Sequence, residues 1–148
     1  MTKKILLPTD GSKNAERAGE YAISLADISG ACIIVLHVID ANYLGALPQP
    51  DLRKSLHKEL RADGQKAVEK FQKNLEESQC NGACKNIQFK TIIKEGKPAD
   101  AILKTIEEEN VDQVVMGKSG KHGLESALLG RTTDRVVREA KVPVNIIT

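Results

Sequence analysis

Ile5-Leu6-Leu7-Pro8-Thr9-Asp10-Gly11-Ser12 begins as a short apolar run, stops at a proline and passes into turn-forming residues. Two lysines precede it, which gives it the outline of a secretion signal. The run is too short for a signal core and meets Asp10-Gly11 with no small-residue cleavage site. It reads as a buried first strand. From Asn14 to Ser29, residues Ala15, Ala18, Ala22, Leu25 and Ala26 recur three and four apart, which marks one face of a helix. Ile33-Ile34-Val35-Leu36 forms a second strand that closes near His37-Val38. Strands joined through a helix run parallel, so this opening predicts a β-α-β unit.

The same alternation continues to the end of the chain. Ala41 to Pro50 holds two prolines and a glycine without periodicity and predicts a loop, in which Tyr43 and Leu44 can act as a lid or belong to an ordinary variable connection. A long helix follows from Asp51 to Ser78, with Leu52, Leu56, Leu60, Ala67, Phe71 and Leu75 as its stripe. Asn81-Gly82 breaks it. Ile87, Phe89, Thr91 and Ile93 alternate with polar residues, as in a half-buried strand near a sheet edge. Pro98 starts a helix carrying Ala99, Ile102, Leu103 and Ile106, and Glu107-Glu108-Glu109 reads as its solvated end. Val111 to Met116 is a strand. Gly117 to Gly130 is a glycine-rich connection. A helix to Ala140 turns Val136, Val137 and Ala140 inward, and Pro143 to Ile147 is the last strand. The expected fold is a three-layer α/β domain over residues 1–148, a parallel sheet with helices on both faces.

Composition narrows the function. The 148 residues suit one core, and 41% hydrophobic with 28% charged residues is the balance of a globular protein. Aromatics are 3%, so the core is aliphatic. A net charge of +2, without a Lys/Arg run interleaved with aromatics, argues against a nucleic-acid partner. No apolar run approaches membrane-spanning length. Cys32, Cys80 and Cys84 are sparse and odd in number, and Cys80 and Cys84 lack C-x-x-C spacing, so reduced thiols in the cytoplasm are expected. No set of ligands suggests a protein-held metal site.

In open α/β sheets, ligands sit beyond the carboxyl ends of the strands where the winding reverses. Two strand ends suit this: Pro8-Thr9-Asp10-Gly11-Ser12, and Gly117-Lys118-Ser119-Gly120 with the later Gly130-Arg131-Thr132-Thr133. Gly117 and Gly120 permit positive φ and close approach of an anion, and free amides there can form a phosphate nest. Gly130 opens a helix whose N-terminus favours negative charge, and Thr132 and Thr133 add hydroxyls. Asp10 suits a ribose hydroxyl, an adenine amine or the water of a divalent ion. On spacing alone, a flexible connection with a helix cap fits the glycines equally well. Neither G-x-x-x-x-G-K-[ST] nor G-x-G-x-x-G after the first strand is present. His37 is expected to be structural, His57 to lie on the polar side of the long helix, and His122, Lys118 and Lys121 to be solvated loop residues or phosphate contacts. No Ser-His-Asp constellation follows from the positions of Ser12 and Ser119.

Gly117-x2-Gly120-x9-Gly130 resembles the G-x2-G-x9-G-[ST] signature of ATP-binding universal stress proteins, whose fold is of the adenine-nucleotide alpha-hydrolase type. The resemblance spans the whole chain: Ile5 to Ser12, Leu36-His37-Val38-Ile39 and Lys141 to Ile147 are similar to the family's opening, second and closing strands. It implies a five-stranded sheet in order 3-2-1-4-5, a homodimer through the last strand, and a stress-response module switched by ATP, with Mg or Mn alongside. By position, it implies that Pro8, Thr9, Asp10 and Val38 line the adenine and ribose end, that Met116 and Gly117 flank the ribose, and that Gly120, Gly130, Arg131 and Thr132 surround the phosphates. The chain departs from the signature at Arg131, which stands where the family has Ser or Thr. Arg131 either contacts phosphate by charge or points to solvent while the main chain holds the anion. Hydrolysis is expected to be slow at most, since neither a positioned base nor an arginine finger can be identified. The competing reading is a nucleotide-independent homodimeric scaffold or chaperone-like protein. An adenylating enzyme or a phosphoacceptor domain is disfavoured, because no S-G-G-x-D-S loop follows strand one and strand three ends at Lys94-Glu95.

Overall fold

The computed structural model describes residues 2–41, 45–80, 87–118 and 129–148. Tyr43, Leu44, Asn81, Gly82, Cys84, Ser119, Gly120, Lys121 and His122, for which the sequence raises expectations, lie outside them, as does the side chain of Cys80. Five strands form one parallel sheet: β1 (Lys4–Pro8), β2 (Cys32–Asp40), β3 (Phe89–Gly96), β4 (Gln113–Gly117) and β5 (Val144–Ile147). Their order is β3-β2-β1-β4-β5, as expected. Against the sheet pack α1 (Lys13–Ser29), α2 (Pro50–Cys80), α3 (Pro98–Glu108) and α4 (Arg131–Glu139).

Strand alternation sorts the apolar residues to the two faces. Ile5, Leu7, Ile33, Val35 and Val115 meet Ala18, Ala22 and Ala26 of α1 and Val68, Phe71 and Leu75 of α2. Leu6, Ile34, Leu36, Val114 and Met116 meet Ile102 and Ile106 of α3 and Val136 of α4. Strands β1, β2 and β4 are therefore apolar on both faces, which is why their sequences read as continuous runs. Each fully buried Leu, Ile or Val contributes about 1.5–3 kcal/mol through the water-exposed area it removes. The small alanine face lets α1 lie close over β1 and β4. Phe71 and Phe89 add an edge-to-face contact with centroids 5.8 Å apart.

Two inward assignments are corrected. Val137 is 42% exposed, while Val136 is fully buried beside buried Thr133. Successive helix positions point about 100° apart, so both valines cannot face one sheet. Leu52 is 49% exposed, and the burial of α2 begins only at Gly64. The apolar stripe extends beyond the sheet that would cover it. The strand β3 lies at an edge, as its alternation suggests. Glu107-Glu108-Glu109 is more than a solvated end: Glu108 and Glu109 reach Lys94 and Lys90 of β3 at 3.2 and 2.7 Å. Lys90 donates to Glu109, and that bond holds the Glu109 carboxyl below its ordinary value. His57 also reaches β3, at 2.8 Å from Glu95. Among the described residues, no helix is long and apolar enough to cross a membrane.

Candidate functional site

The winding reverses at β1, which pairs with β2 on one side and β4 on the other. The carboxyl ends of β1 and β4 therefore open on one crevice. Past Pro8, the Thr9 N–H donates to the Leu36 carbonyl at 2.8 Å, extending the ladder by one residue. The Thr9 carbonyl accepts from His37 Nδ1 at 2.9 Å. The chain then turns sharply. Gly11 has φ +79°, a left-handed conformation that a side chain would strain. Its N–H donates to Thr9 Oγ1 at 3.3 Å, and the Ser12 N–H donates to Asp10 Oδ1 at 2.9 Å. Ser12 caps α1, its Oγ accepting from the Ala15 N–H at 3.2 Å.

At the other strand end, Gly117 is the last residue of β4 and is not in the positive-φ region. The expectation of a positive φ at Gly117 is corrected. It is small because α1 passes close by: a Cβ there would lie 2.8 Å from Asn14 Cβ and 3.0 Å from the Asn14 carbonyl carbon and oxygen. The Gly117 carbonyl also accepts from the Thr133 hydroxyl at 3.1 Å. Gly117 thus joins the first turn of α1 to the first turn of α4.

The N-terminus of α4 is built on Gly130, with φ −61° and ψ 156° and no side chain to cap the helix. The first intrahelical bond runs from Asp134 N–H to Gly130 O at 2.8 Å. The amides of Arg131, Thr132 and Thr133 precede that bond, in the turn where helix donors and the dipole favour an anion. Other amides near the crevice serve the fold. Lys118 N–H donates to Ile147 O at 3.1 Å, and Gly130 N–H donates to Lys118 O at 3.0 Å. Thr133 is buried, with its hydroxyl spent on Gly117, so of the two threonines Thr132 is the one without that tie. Arg131 is exposed.

A model of the universal stress protein family matches residues 1–148. This chain belongs to the universal stress protein family. It is similar to universal stress protein MJ0531 of Methanocaldococcus jannaschii, at 34% identity over 98% of this chain and 81% of that one. The solved structure of MJ0577 from the same organism matches with TM-score 0.83 and 32% identity, over 99% of this chain and 96% of that one. A universal stress protein from Archaeoglobus fulgidus, solved in complex with dAMP, has TM-score 0.64 and 18% identity over 100% and 98% of the two chains, and so shares the fold.

Within this family fold, the described candidate residues fall into two groups. Pro8, Thr9 and Asp10 lie at the end of β1, and Val38 lies next in β2. Met116 and Gly117 end β4, and Gly130, Arg131 and Thr132 start α4. Val38 and buried Met116 share the α3/α4 face. Among the described residues, no group of three or more His, Cys, Asp or Glu is gathered for a metal. Gly11 belongs to the strand end expected to face a ligand, though its left-handed turn is not evident from the sequence, and nothing in the sequence points to Gly64. His37 is structural, as expected: it is 8% exposed and bonded to Thr9.

Proposed function

We propose that this chain binds ATP or another adenine nucleotide in the crevice between β1 and β4 and acts as a homodimeric regulatory module. The observation that carries the reading is the convergence of two helix N-termini on Gly117, through Asn14 of α1 and Thr133 of α4. The first turn of α4, ahead of the bond from Asp134 to Gly130, is where helix donors and the dipole favour a phosphate-sized anion. Asp10, Thr9 and Pro8 stand at the neighbouring strand end, where a carboxylate can take ribose hydroxyls. The family membership and the dAMP complex of the Archaeoglobus fulgidus protein support an adenine nucleotide as the ligand. Mg or Mn would come bound to the phosphates and offset their charge. Turnover would be slow at most, because the sequence identifies neither a positioned base nor an arginine finger.

Binding would bias the segments around the crevice and so alter the surface offered to a partner in the cytoplasm. The test is titration calorimetry with Mg-ATP, with mass spectrometry of any small molecule that co-purifies. The expected result is saturable heat and a raised melting temperature. No heat and no thermal shift at millimolar nucleotide would remove the reading. A second reading, a dimeric scaffold that ignores nucleotide, is favoured by exposed Arg131 in the place of the family's hydroxyl residue. Dimers that persist without nucleotide and do not respond to it would support that alternative.

A further inference from the structure

We infer that His37 is a positioning residue for the adenine and ribose end of the site, and that α2 sets its ring through Gly64. The inference rests on the nucleotide reading above. A carbonyl oxygen only accepts, so His37 Nδ1 carries the proton it gives to Thr9 O at 2.9 Å. Thr9 is then held on both sides by β2, with its N–H on Leu36 O and its carbonyl on His37. The bonds of the turn continue from there, through Thr9 Oγ1 to the Gly11 N–H and through Asp10 Oδ1 to the Ser12 N–H. The direction in which the Thr9-Asp10 peptide faces the crevice depends on a buried ring.

The opposite edge of that ring meets α2. A Cβ on Gly64 would lie 2.4 Å from His37 Cδ2, 3.0 Å from Nε2 and 3.1 Å from Cγ. Glycine is a poor residue for a helix interior, and the ring accounts for its presence in α2. One turn further on, α2 meets the loop directly: a Cβ on Gly11 would lie 3.3 Å from Ala67 Cβ. The helix therefore touches the turn at two points on one face, once through His37 and once at Gly11. A shift of α2 moves the recognition turn with it.

Calorimetry with ATP and with AMP on His37→Val, His37→Asn and Gly64→Ala tests this, together with amide exchange at Gly11 and Ser12. Loss of the buried bond in His37→Val should weaken ATP and AMP equally, by about tenfold. The equal loss places the effect away from the phosphates. The Asn side-chain amide donates from the place of Nδ1, so His37→Asn should stay within about threefold of wild type. Gly64→Ala should weaken binding more in the wild type than in the His37→Val background, where the Cδ2–Nε2 edge of the ring is gone. If His37→Val does not fold, Gly64→Ala and His37→Asn carry the comparison. Wild-type affinity in both His37→Val and Gly64→Ala, or equal losses in the Val and Asn variants, would overturn the inference. If the wild type binds neither nucleotide, the functional reading fails separately. Exchange then decides: faster exchange in Val but not Asn upholds the hold on the turn, and unchanged exchange overturns it.

Discussion

A methyl group on Gly117 would meet Asn14 Cβ at 2.8 Å and the Asn14 backbone at 3.0 Å, with no flexible side-chain tip to give way. The start of α1 would have to move off β4. Gly117→Ala should therefore lower stability by about 1–3 kcal/mol, the usual range for overpacking, read from urea melts. It should weaken nucleotide binding as well, because the two helix N-termini separate. An unchanged melt would mean that α1 has slack at this point. The glycines after β4 were legible in the sequence as glycines, but the work Gly117 does was not. Local spacing suggests freedom of the backbone, whereas the actual demand comes from a helix at the far end of the chain. Gly64 was invisible for the same reason, since its partner His37 lies in another element. His37 was legible as structural because a histidine closing an apolar strand has few other roles.

Elements are joined at their ends by charge as well as by apolar area. Asp112 accepts from the amides of Lys3 and Lys4, both at 2.8 Å, and so fastens the entry of β4 to the entry of β1. The Lys3 amide first, then that of Lys4, favours the carboxylate and holds Asp112 below its ordinary value of 3.8. A carboxyl group depressed in the folded state stabilises fully above its unfolded value, and the benefit is lost as pH falls through the folded one. Asp112→Asn should therefore melt below the wild type at neutral pH, and the gap should close as the pH drops below 3.8. A gap that is constant down to the acid limb would show that the charge plays no part. Element order was readable because strand and helix periods alternate cleanly. Helix faces were less so: a stripe of leucines says nothing about where the sheet beneath it ends, which exposes Leu52, and of two adjacent valines only one, Val136, can face the sheet.

The two borders of the sheet are unlike. On β3, Lys90 and Lys94 reach Glu109 and Glu108, and charge of this kind discourages a further strand. On β5, Val144-Asn145-Ile146-Ile147 carries no charge and is half-buried throughout. The Pro143 and Ile147 carbonyls face β4, since they accept from Val114 and Lys118. Residues Val144 and Ile146, one step away in the alternation, turn their backbone groups outward. A second copy can add there. Sedimentation should give twice 16.1 kDa, and Val144→Pro, which deletes an outward N–H without touching the β4 ladder, should shift the mass toward the monomer. A mass that does not respond would place the contact elsewhere.

The central position of β1 also governs how the chain can assemble during translation. Its pairing with β2 joins Lys4 to Cys32, but its pairing with β4 joins Ile5 to Gln113. The first can form early on a nascent chain, while the second must wait until most of the protein has left the ribosome. Distant pairing of this kind slows folding, because a long loop must close before the contact is gained. Until β4 arrives, one flank of the earliest strand made stays open to any other extended segment nearby.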